Sequence, residues 1–274
     1  MTALLTRLLS RLPVGWLQLT HSRGRLAAAI AGVAFANVLV LVQLGISGAL
    51  NGTIAQGYGV MQADLMISAA DANTLTDGGN VARAHLFQAL ADPEVVAGTG
   101  VFIGNVIWSR PSGDVALQTF GIDPAQPAFL PPAIAARAGA LHLADRSIID
   151  RKTRGLDRAA LDALNGGASE SCEAAGRTLH LTGSLQGGVG FTADGYMILS
   201  DQTFLALFPR RSSGAPDHLL LRLAPGADPA QVAARLSERL GAGLRIRTLP
   251  QRSPPISGSR ARSGPPASSS ALAW

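Results

Sequence analysis

The most informative hydrophobic pattern is a long apolar run near the start of the chain. Between Arg25 and Asp64 no residue is charged, and within residues 26–46 only Asn37 and Gln43 have strongly polar side chains. A helix of that length spans about 30 Å, the thickness of a bilayer's hydrocarbon core. Because a helix satisfies its own backbone groups in lipid, the pattern predicts one transmembrane helix over residues 23–47.

Beyond this run the pattern changes to short segments rich in β-branched, Leu and aromatic residues, bounded by Gly, Pro or Asp. These segments predict strands at 63–68, 101–108, 115–122, 177–185, 196–200, 218–223 and 244–249. Helices are predicted near 50–61, 81–90, 157–164, 201–208 and 229–240. The last is the clearest, because Asp228 is a good N-cap and Pro229 fits the first turn. We therefore predict an α+β fold, with one membrane helix followed by a mixed α/β extracytoplasmic domain over residues 48–249.

The flanks of the apolar run predict its orientation. Four basic residues and no acid precede it: Arg7, Arg11, Arg23 and Arg25. The first charged residue after it is Asp64. The positive-inside rule then places the N-terminus in the cytoplasm and the domain across the membrane. The alternative is a signal peptide cleaved near Ser47, but the run exceeds the roughly 7–15 apolar residues of such peptides.

The two ends of the chain differ from the rest. Residues 1–22 carry leucines at helical spacing before Pro13, with Trp16 beyond it. This segment fits a cytoplasmic or interfacial element at the membrane surface, or the beginning of an ordinary membrane helix. Residues 250–274 consist mainly of Ser, Pro, Gly, Arg and Ala and predict a disordered tail.

The distribution of charge argues against nucleic-acid binding, and the cysteine content excludes an intrachain disulfide. The net charge is +5, yet residues 26–249 hold 16 basic and 18 acidic residues. A domain with that balance lacks the basic surface of a nucleic-acid-binding protein, and the basic N-terminus suits anionic membrane lipid. Cys172 is the single cysteine, so no intrachain disulfide can form. We predict that it lies in a loop.

Neither a catalytic nor a cofactor site is evident. The glycines at 187, 188 and 190 lack both the Lys-Ser/Thr of a phosphate-binding loop and the dinucleotide spacing. No histidine pair has zinc-ligand spacing. Asp194 reads as part of a turn and Asp201 as a helix N-cap. We expect no catalytic, cofactor-binding or metal residue. Asn37 and Gln43 are instead candidate helix–helix contacts, worth about 1 kcal/mol each.

Several sequence blocks resemble one family. They are GWLQLTHSRGRLAAAIAGVAFANVLVLVQLG (15–45), ADLMIS (63–68), GIDPAQPAF (121–129), FTADGYMILSDQTFLALFPRR (191–211) and LLRLAPGADPAQVAARL (220–236). In this order they are similar to DevC-type ABC exporter permeases, which belong to the MacB/FtsX-like permeases. The resemblance covers residues 14–249. It implies a first membrane helix, a MacB-like periplasmic core domain and three further membrane helices.

The resemblance also implies the partners. Such permeases form homodimers in the bacterial inner (plasma) membrane, bind a cytoplasmic ABC ATPase subunit and engage a periplasmic adaptor (membrane fusion) protein. ATP hydrolysis by the partner would drive efflux of a lipid-like or amphiphilic substrate. The permease itself would then be no enzyme and need no cofactor.

The chain departs from this plan after Leu249, where the family continues into its second membrane helix. We therefore expect a truncated or frameshifted permease that does not transport. Bases encoding GPPASSSALAW can read AAGFVFGLGM in a shifted frame, which resembles a membrane helix. The alternative is a single-pass anchored interaction module that binds an envelope adaptor. An extracytoplasmic hydrolase using Asp194 and Asp201 ranks third.

The nucleotide sequence beyond the codon for Leu249 tests the frameshift. We expect a shifted open frame that encodes three apolar spans. If no such frame exists, the frameshift hypothesis is wrong.

Overall fold

The computed structural model describes residues 21–185 and 193–249. Predictions for residues 1–20, including Arg7 and Arg11, for the glycine-rich loop at 187–190 and for the tail at 250–274 lie outside the described residues. The helices are α1 (Arg23–Tyr58), α2 (Ala84–Leu90), α3 (Pro132–Ala135), α4 (Arg158–Ala163), α5 (Asp201–Leu207) and α6 (Pro229–Leu240). The strands are β1 (Leu65–Ala69), β2 (Val95–Trp108), β3 (Val115–Ile122), β4 (Arg146–Asp150), β5 (Glu170–Ala174), β6 (Arg177–Leu185), β7 (Gly195–Ser200), β8 (His218–Leu223) and β9 (Leu244–Thr248).

Helix α1 is a single continuous helix of 36 residues. At 1.5 Å per residue it is about 54 Å long. The separate helix predicted near 50–61 is therefore wrong: no proline or charged residue interrupts the chain after Ile46, and glycine costs a helix only about 1 kcal/mol. The segment Arg23–Gly48 is long and apolar enough to cross a membrane, and none of it is buried in the protein.

A four-stranded antiparallel sheet holds the ends of the domain together. Its strand order is β2-β8-β1-β9, built from two strand–helix–strand units, β1-α2-β2 and β8-α6-β9. This is the split βαβ arrangement of ferredoxin-like folds. Helices α2 and α6 cover one sheet face, where Leu65 and Leu221 lie in a core with Val232 and Leu236. The second unit is the strand–helix–strand unit visible in the sequence, with α6 at its predicted bounds.

A closed barrel is inserted between β2 and β8. Its six strands follow the order β2-β3-β7-β4-β6-β5, and β5 pairs back onto β2 through Ala174 and Trp108. All six strands contribute to one hydrophobic core, with these strand residues: Phe102, Val106, Trp108, Val115, Leu117, Ile149, Cys172, Ala174, Leu179, Leu181, Met197 and Leu199. Each of the six strands thus has a neighbour on both sides, with β5 and β2 meeting at a single residue pair.

Strand β2 belongs to both units. Its first half, up to Val101, pairs with β8 in the sheet, and its second half, from Phe102, pairs with β3 in the barrel. The sequence predicted a strand only at 101–108. The missed half contains Gly98 and Gly100, which weaken a strand signal; here Leu86 and Pro216 pack against these glycines.

Two barrel strands were not predicted, β4 and β5. Both have five residues, and in β5 Ser171 and Glu173 are exposed while Cys172 and Ala174 face the core. The loop predicted for Cys172 is therefore wrong, because small apolar residues alternating with Ser171 and Glu173 give little hydrophobic signal. Asp201 is also not the N-cap of α5. Ser200 is, since its Oγ accepts a hydrogen bond from the Thr203 backbone N–H at 3.1 Å.

The close packing of α5 against β3 gives a stability prediction. A Cβ at Gly121 would lie 2.5 Å from Phe204 Cβ, close to the backbone of α5, where little adjustment is possible. We expect Gly121→Ala to lower the free energy of unfolding by about 1–3 kcal/mol. Urea unfolding of the full chain in detergent, followed by near-ultraviolet circular dichroism, measures this.

Gly139→Ala is the matched control, because nothing lies within 4 Å of its Cβ position. We expect a change of no more than about 0.5 kcal/mol at that exposed site. Equal effects of the two substitutions would contradict the packing described for α5.

Candidate functional site at the end of the apolar helix

The C-terminal end of α1 is built into the core of the domain. Tyr58 packs on a cluster of buried side chains that includes Val60 and Met61, which directly follow the helix. The same cluster holds residues of the sheet and of the barrel: Met66, Leu220, Val101, Ile103, Phe120, Tyr196 and Ile198. The helix that is exposed over its first 26 residues thus ends where the sheet and the barrel meet.

Gly57 lets the side chains of Leu75 and Tyr196 approach the last turn of α1 closely. A Cβ at this position would lie 3.1 Å from Leu75 Cδ2 and 3.9 Å from Tyr196 Oη. Leu75 belongs to the loop after β1, and Tyr196 belongs to barrel strand β7. Tyr196 is buried and packs edge-on against Phe120, with ring centroids 5.6 Å apart. Burial, with a smaller contribution from Asp150, raises the pKa of Tyr196, so the ring is neutral at physiological pH.

The chain enters and leaves the sheet at neighbouring positions. After α1, Gln62 donates a backbone hydrogen bond to Phe129 O at 2.7 Å, and the Asp64 backbone N–H donates to Leu221 O at 2.9 Å. After β9, the Leu249 N–H donates to Asp64 O at 3.0 Å. The Asp64 carboxylate, which is buried, accepts from the Leu223 N–H at 2.8 Å. Asp64 therefore ties the beginning of β1 to the ends of β8 and β9.

Asn37 and Gln43, in the apolar segment of α1, lie on different helix faces. Asn37 Nδ2 donates to Val33 O at 2.9 Å, four residues earlier in the same helix. Gln43 is six positions further on, which at about 100° per residue turns it about 120° away from Asn37. Both are exposed, as are Arg23 and Arg25 at the beginning of the helix. A single neighbouring helix therefore cannot lie directly opposite both Asn37 and Gln43.

Asp194 and Asp201, named above for a hydrolase, and also Asp145 have structural partners in the domain. Asp145 pairs with Arg177, 3.0 Å apart. Asp194 accepts a hydrogen bond from the Ala116 N–H at 3.0 Å, as expected of a turn residue beside a strand. Within 21–185 and 193–249, no group of three or more His, Cys, Asp or Glu side chains could hold a metal ion. These aspartates are therefore engaged in structural contacts.

An ion-pair cluster fixes α6 to the α2–β2 connection. The Arg235 guanidinium contacts Asp92 at 3.2 Å and also pairs with Glu94. Asp92 is buried, and the hydrogen bonds from Arg235 hold its pKa below the usual value despite the opposing effect of burial. The carboxylate therefore stays charged in the folded protein, and its contribution to stability would be lost only as the pH falls below about 4.

The solved structures that are similar to the chain include two domains of transport proteins. The first is the periplasmic region of MacB from Actinobacillus actinomycetemcomitans, with 9% identity, 69% of this chain and 90% of that chain covered, and a TM-score of 0.46. The second is the extracellular domain of the ABC-type transporter YknZ from Gram-positive bacteria, with 11% identity, coverages of 69% and 99%, and a TM-score of 0.43. No protein-family model and no curated protein matches the chain. Both TM-scores are below 0.5, so these likenesses carry no weight of their own for function.

The lone thiol gives a prediction about reactivity. Cys172 is fully buried in the barrel, and burial, followed by the nearby Glu173 and Glu170, raises its pKa to about 12. Because the thiolate is the reactive form, we expect no maleimide labelling of the native full chain at pH 7.5 within an hour. Labelling should become complete after unfolding, as mass spectrometry would show.

Ser237→Cys provides the control for that experiment, because Ser237 is exposed on α6. Its thiol should react within minutes in the native chain. Native labelling of Cys172 at a comparable rate would contradict a closed barrel.

Proposed function

We propose that this chain is a permease-type subunit of an ABC exporter of the DevC kind, anchored in the bacterial inner membrane by α1. The observation that carries the proposal is α1 itself, whose apolar part is wholly unburied while its last turn lies in the domain core. The family resemblance of the sequence blocks between 15 and 236 supports the same assignment. Residues 48–249 then form the periplasmic domain.

The exposed surface of α1 supports insertion in lipid. Its large apolar side chains are more than half exposed: Ile30, Val33, Phe35, Val38, Leu39, Val40, Leu41, Val42, Leu44 and Ile46. Exposure of this apolar surface to water costs about 25 cal/mol of free energy per Å². A contiguous apolar patch of this kind marks an interaction or membrane site. Arg23 and Arg25 at the beginning of the helix favour a cytoplasmic N-terminus.

Asn37 and Gln43, the two strongly polar residues in the apolar segment of α1, are assigned to neighbouring membrane helices. Helical periodicity places Gln43 on the same face as Gly32 and Ala36, where small residues let a second helix approach closely. Asn37 faces another direction and already uses one amide hydrogen within its own helix. We assign Gln43 to a close helix contact, including one across a homodimer, and Asn37 to a different neighbour.

The geometry also supports mechanical coupling. A cytoplasmic ABC ATPase would move the membrane end of α1, and a continuous helix transmits that displacement to the junction at Gly57 and Tyr58. Because β2 is shared, the sheet and the barrel would then move together rather than separately. In a permease with all four membrane helices, movement of this domain would act on a periplasmic adaptor and expel a lipid-like or amphiphilic substrate; a fragment that lacks three of them would not transport.

Purification from native membranes tests this function. We expect a tagged full chain to retain a cognate ABC ATPase subunit, identified by mass spectrometry. Gln43→Leu should reduce that recovery about fivefold, which corresponds to about 1 kcal/mol for a lost interhelical hydrogen bond. The control is Leu41→Val, which lies on nearly the opposite side of the helix from Gln43.

Stable recovery of an adaptor with no ATPase would contradict the permease assignment and favour the single-pass interaction module. Equal recovery with Gln43→Leu and Leu41→Val would leave the ATPase partnership standing but contradict the role given to Gln43.

A further inference from the structure

His218 is a buried histidine with one hydrogen-bonded ring nitrogen. It begins β8, is only 1% exposed, and its Nε2 lies 2.8 Å from the backbone oxygen of Leu75. A carbonyl can only accept, so Nε2 carries the proton and Nδ1 is the acceptor nitrogen of a neutral ring. Nδ1 is buried and has no hydrogen-bond partner among the described residues. The site therefore fits a neutral imidazole. The described residues provide no acceptor for a second ring N–H at Nδ1.

Leu75 connects this histidine to the apolar helix. Its backbone oxygen is held by His218, while its side chain packs at the last turn of α1 over Gly57. The same side chain belongs to the buried cluster of Val60 and Met61. One loop residue thus bridges β8 and the end of α1. We call His218, Leu75 and Gly57 the latch.

Apart from Leu75 and the buried Ala72, the loop at 71–80 consists of polar residues and glycines. Its Asn80 side-chain amide donates to Asp217 Oδ1 at 3.3 Å, and further contacts are local. The Gly79 N–H donates to Asp71 Oδ1 at 3.0 Å, and the Thr74 N–H donates to Asp77 Oδ1 at 2.5 Å. The side chains of these loop residues are exposed. Towards the rest of the domain, Arg245 and Arg247 each donate to Ala72 O at 2.8 Å. The His218 bond is therefore an anchor in the middle of an exposed loop.

Three charged groups act on the His218 ring. Asp217 next to it and Asp77 in the loop favour a charged ring, whereas Arg247 on β9 opposes one. Asp217 is already engaged by Arg211 and by the Ile103 N–H, at 2.7 Å for the latter. Burial is the largest effect and lowers the pKa of His218, and the hydrogen bond to Leu75 offsets it only in part.

We propose that the latch is acid-sensitive: neutral His218 holds the Leu75 loop closed on the end of α1, and protonation of His218 releases it. A second proton would place a positive charge and an unmatched N–H at Nδ1 inside the protein, which is costly. Rotation of the ring towards water removes that cost but breaks the Nε2 bond to Leu75. The latch rests on contacts within the domain and does not require that the chain work with an ATPase.

The direction of the pH dependence follows from the lowered pKa. Above the ordinary histidine pKa of about 6.5, folded and unfolded chains both carry a neutral ring, and the latch has its full strength. As the pH falls below that value, the open or unfolded forms bind the proton first. The closed form is then progressively disfavoured until the pH reaches the pKa of the closed state.

Hydrogen–deuterium exchange of the full chain in lipid nanodiscs tests the proposal. Protection factors, corrected for the intrinsic pH dependence of exchange, are measured between pH 7.5 and 4.5 for residues 57–62 and 70–80. We expect at least a tenfold loss of protection in both segments below pH 6.5. Strand β3 in the barrel should keep its protection, which separates release of the loop from global unfolding.

Variants at position 218 identify the titrating group. His218→Gln keeps a neutral nitrogen donor near Leu75 O and should give protection that does not vary over this pH range. His218→Phe removes the donor and should lower protection at every pH. His85→Gln is the control, because His85 contacts Gln88 on α2 and lies outside the latch; it should respond to pH like the unmodified chain.

An unchanged pH response in His218→Gln would overturn the proposal, as would a flat response in the unmodified chain. If His218→Gln does not fold, the histidine ring resonances of the unmodified chain decide by NMR. A His218 pKa at or above 6.5 in the folded protein would contradict the latch, whereas a lower value that coincides with the exchange transition would support it.

Discussion

The structure depends on one continuous strand. β2 extends from Val95 to Trp108 and pairs first with β8 in the sheet and then with β3 in the barrel. If a paired strand shifts its register by one residue, all of its side chains move to the opposite face of the sheet. The sheet and the barrel are therefore fixed to one another through a shared backbone, and Val101 and Ile103, at the crossing point, belong to the core that receives α1.

The second constraint is the change of environment along α1. Over Arg23–Gly48 the helix is apolar and touches nothing that buries it, but ten residues later it ends among buried side chains. Because a helix is stiff over such a length, it connects the exposed apolar segment rigidly to the folded domain. Gly57, Leu75 and Tyr196 are the contacts through which that connection acts.

Much of the fold could be predicted from local patterns, and the failures have physical causes. Strands β3, β6 and β8 show clear hydrophobic runs, and α6 carries its N-cap and proline, so their bounds are confirmed. β5 was missed because Cys172 and Ala174 are small. The pairing of Leu65 with Leu221 could not be predicted, since it joins residues separated by the whole barrel insertion.

The candidate site was harder to predict than the fold. Leu75 lies in the polar segment DANTLTDGGN, which reads as a loop, and only the tertiary contacts show that this one leucine is buried. His218 was one of five dispersed histidines. Only the position of the Leu75 carbonyl opposite its ring shows that buried His218 is neutral. A single leucine within a polar loop is the sequence signal that could have directed attention there.

The central claim is that α1 crosses a membrane and carries the domain to the far side. Site-specific thiol labelling in a Cys172→Ala background tests it most directly, with single cysteines at Ser22, before the span, and at Ser237, on the exposed face of α6. In spheroplasts, a membrane-impermeant maleimide should label Ser237→Cys at once and Ser22→Cys only after permeabilisation, and both variants should stay in the membrane after a carbonate wash. Release by carbonate, or a domain cysteine protected until lysis, would contradict the account.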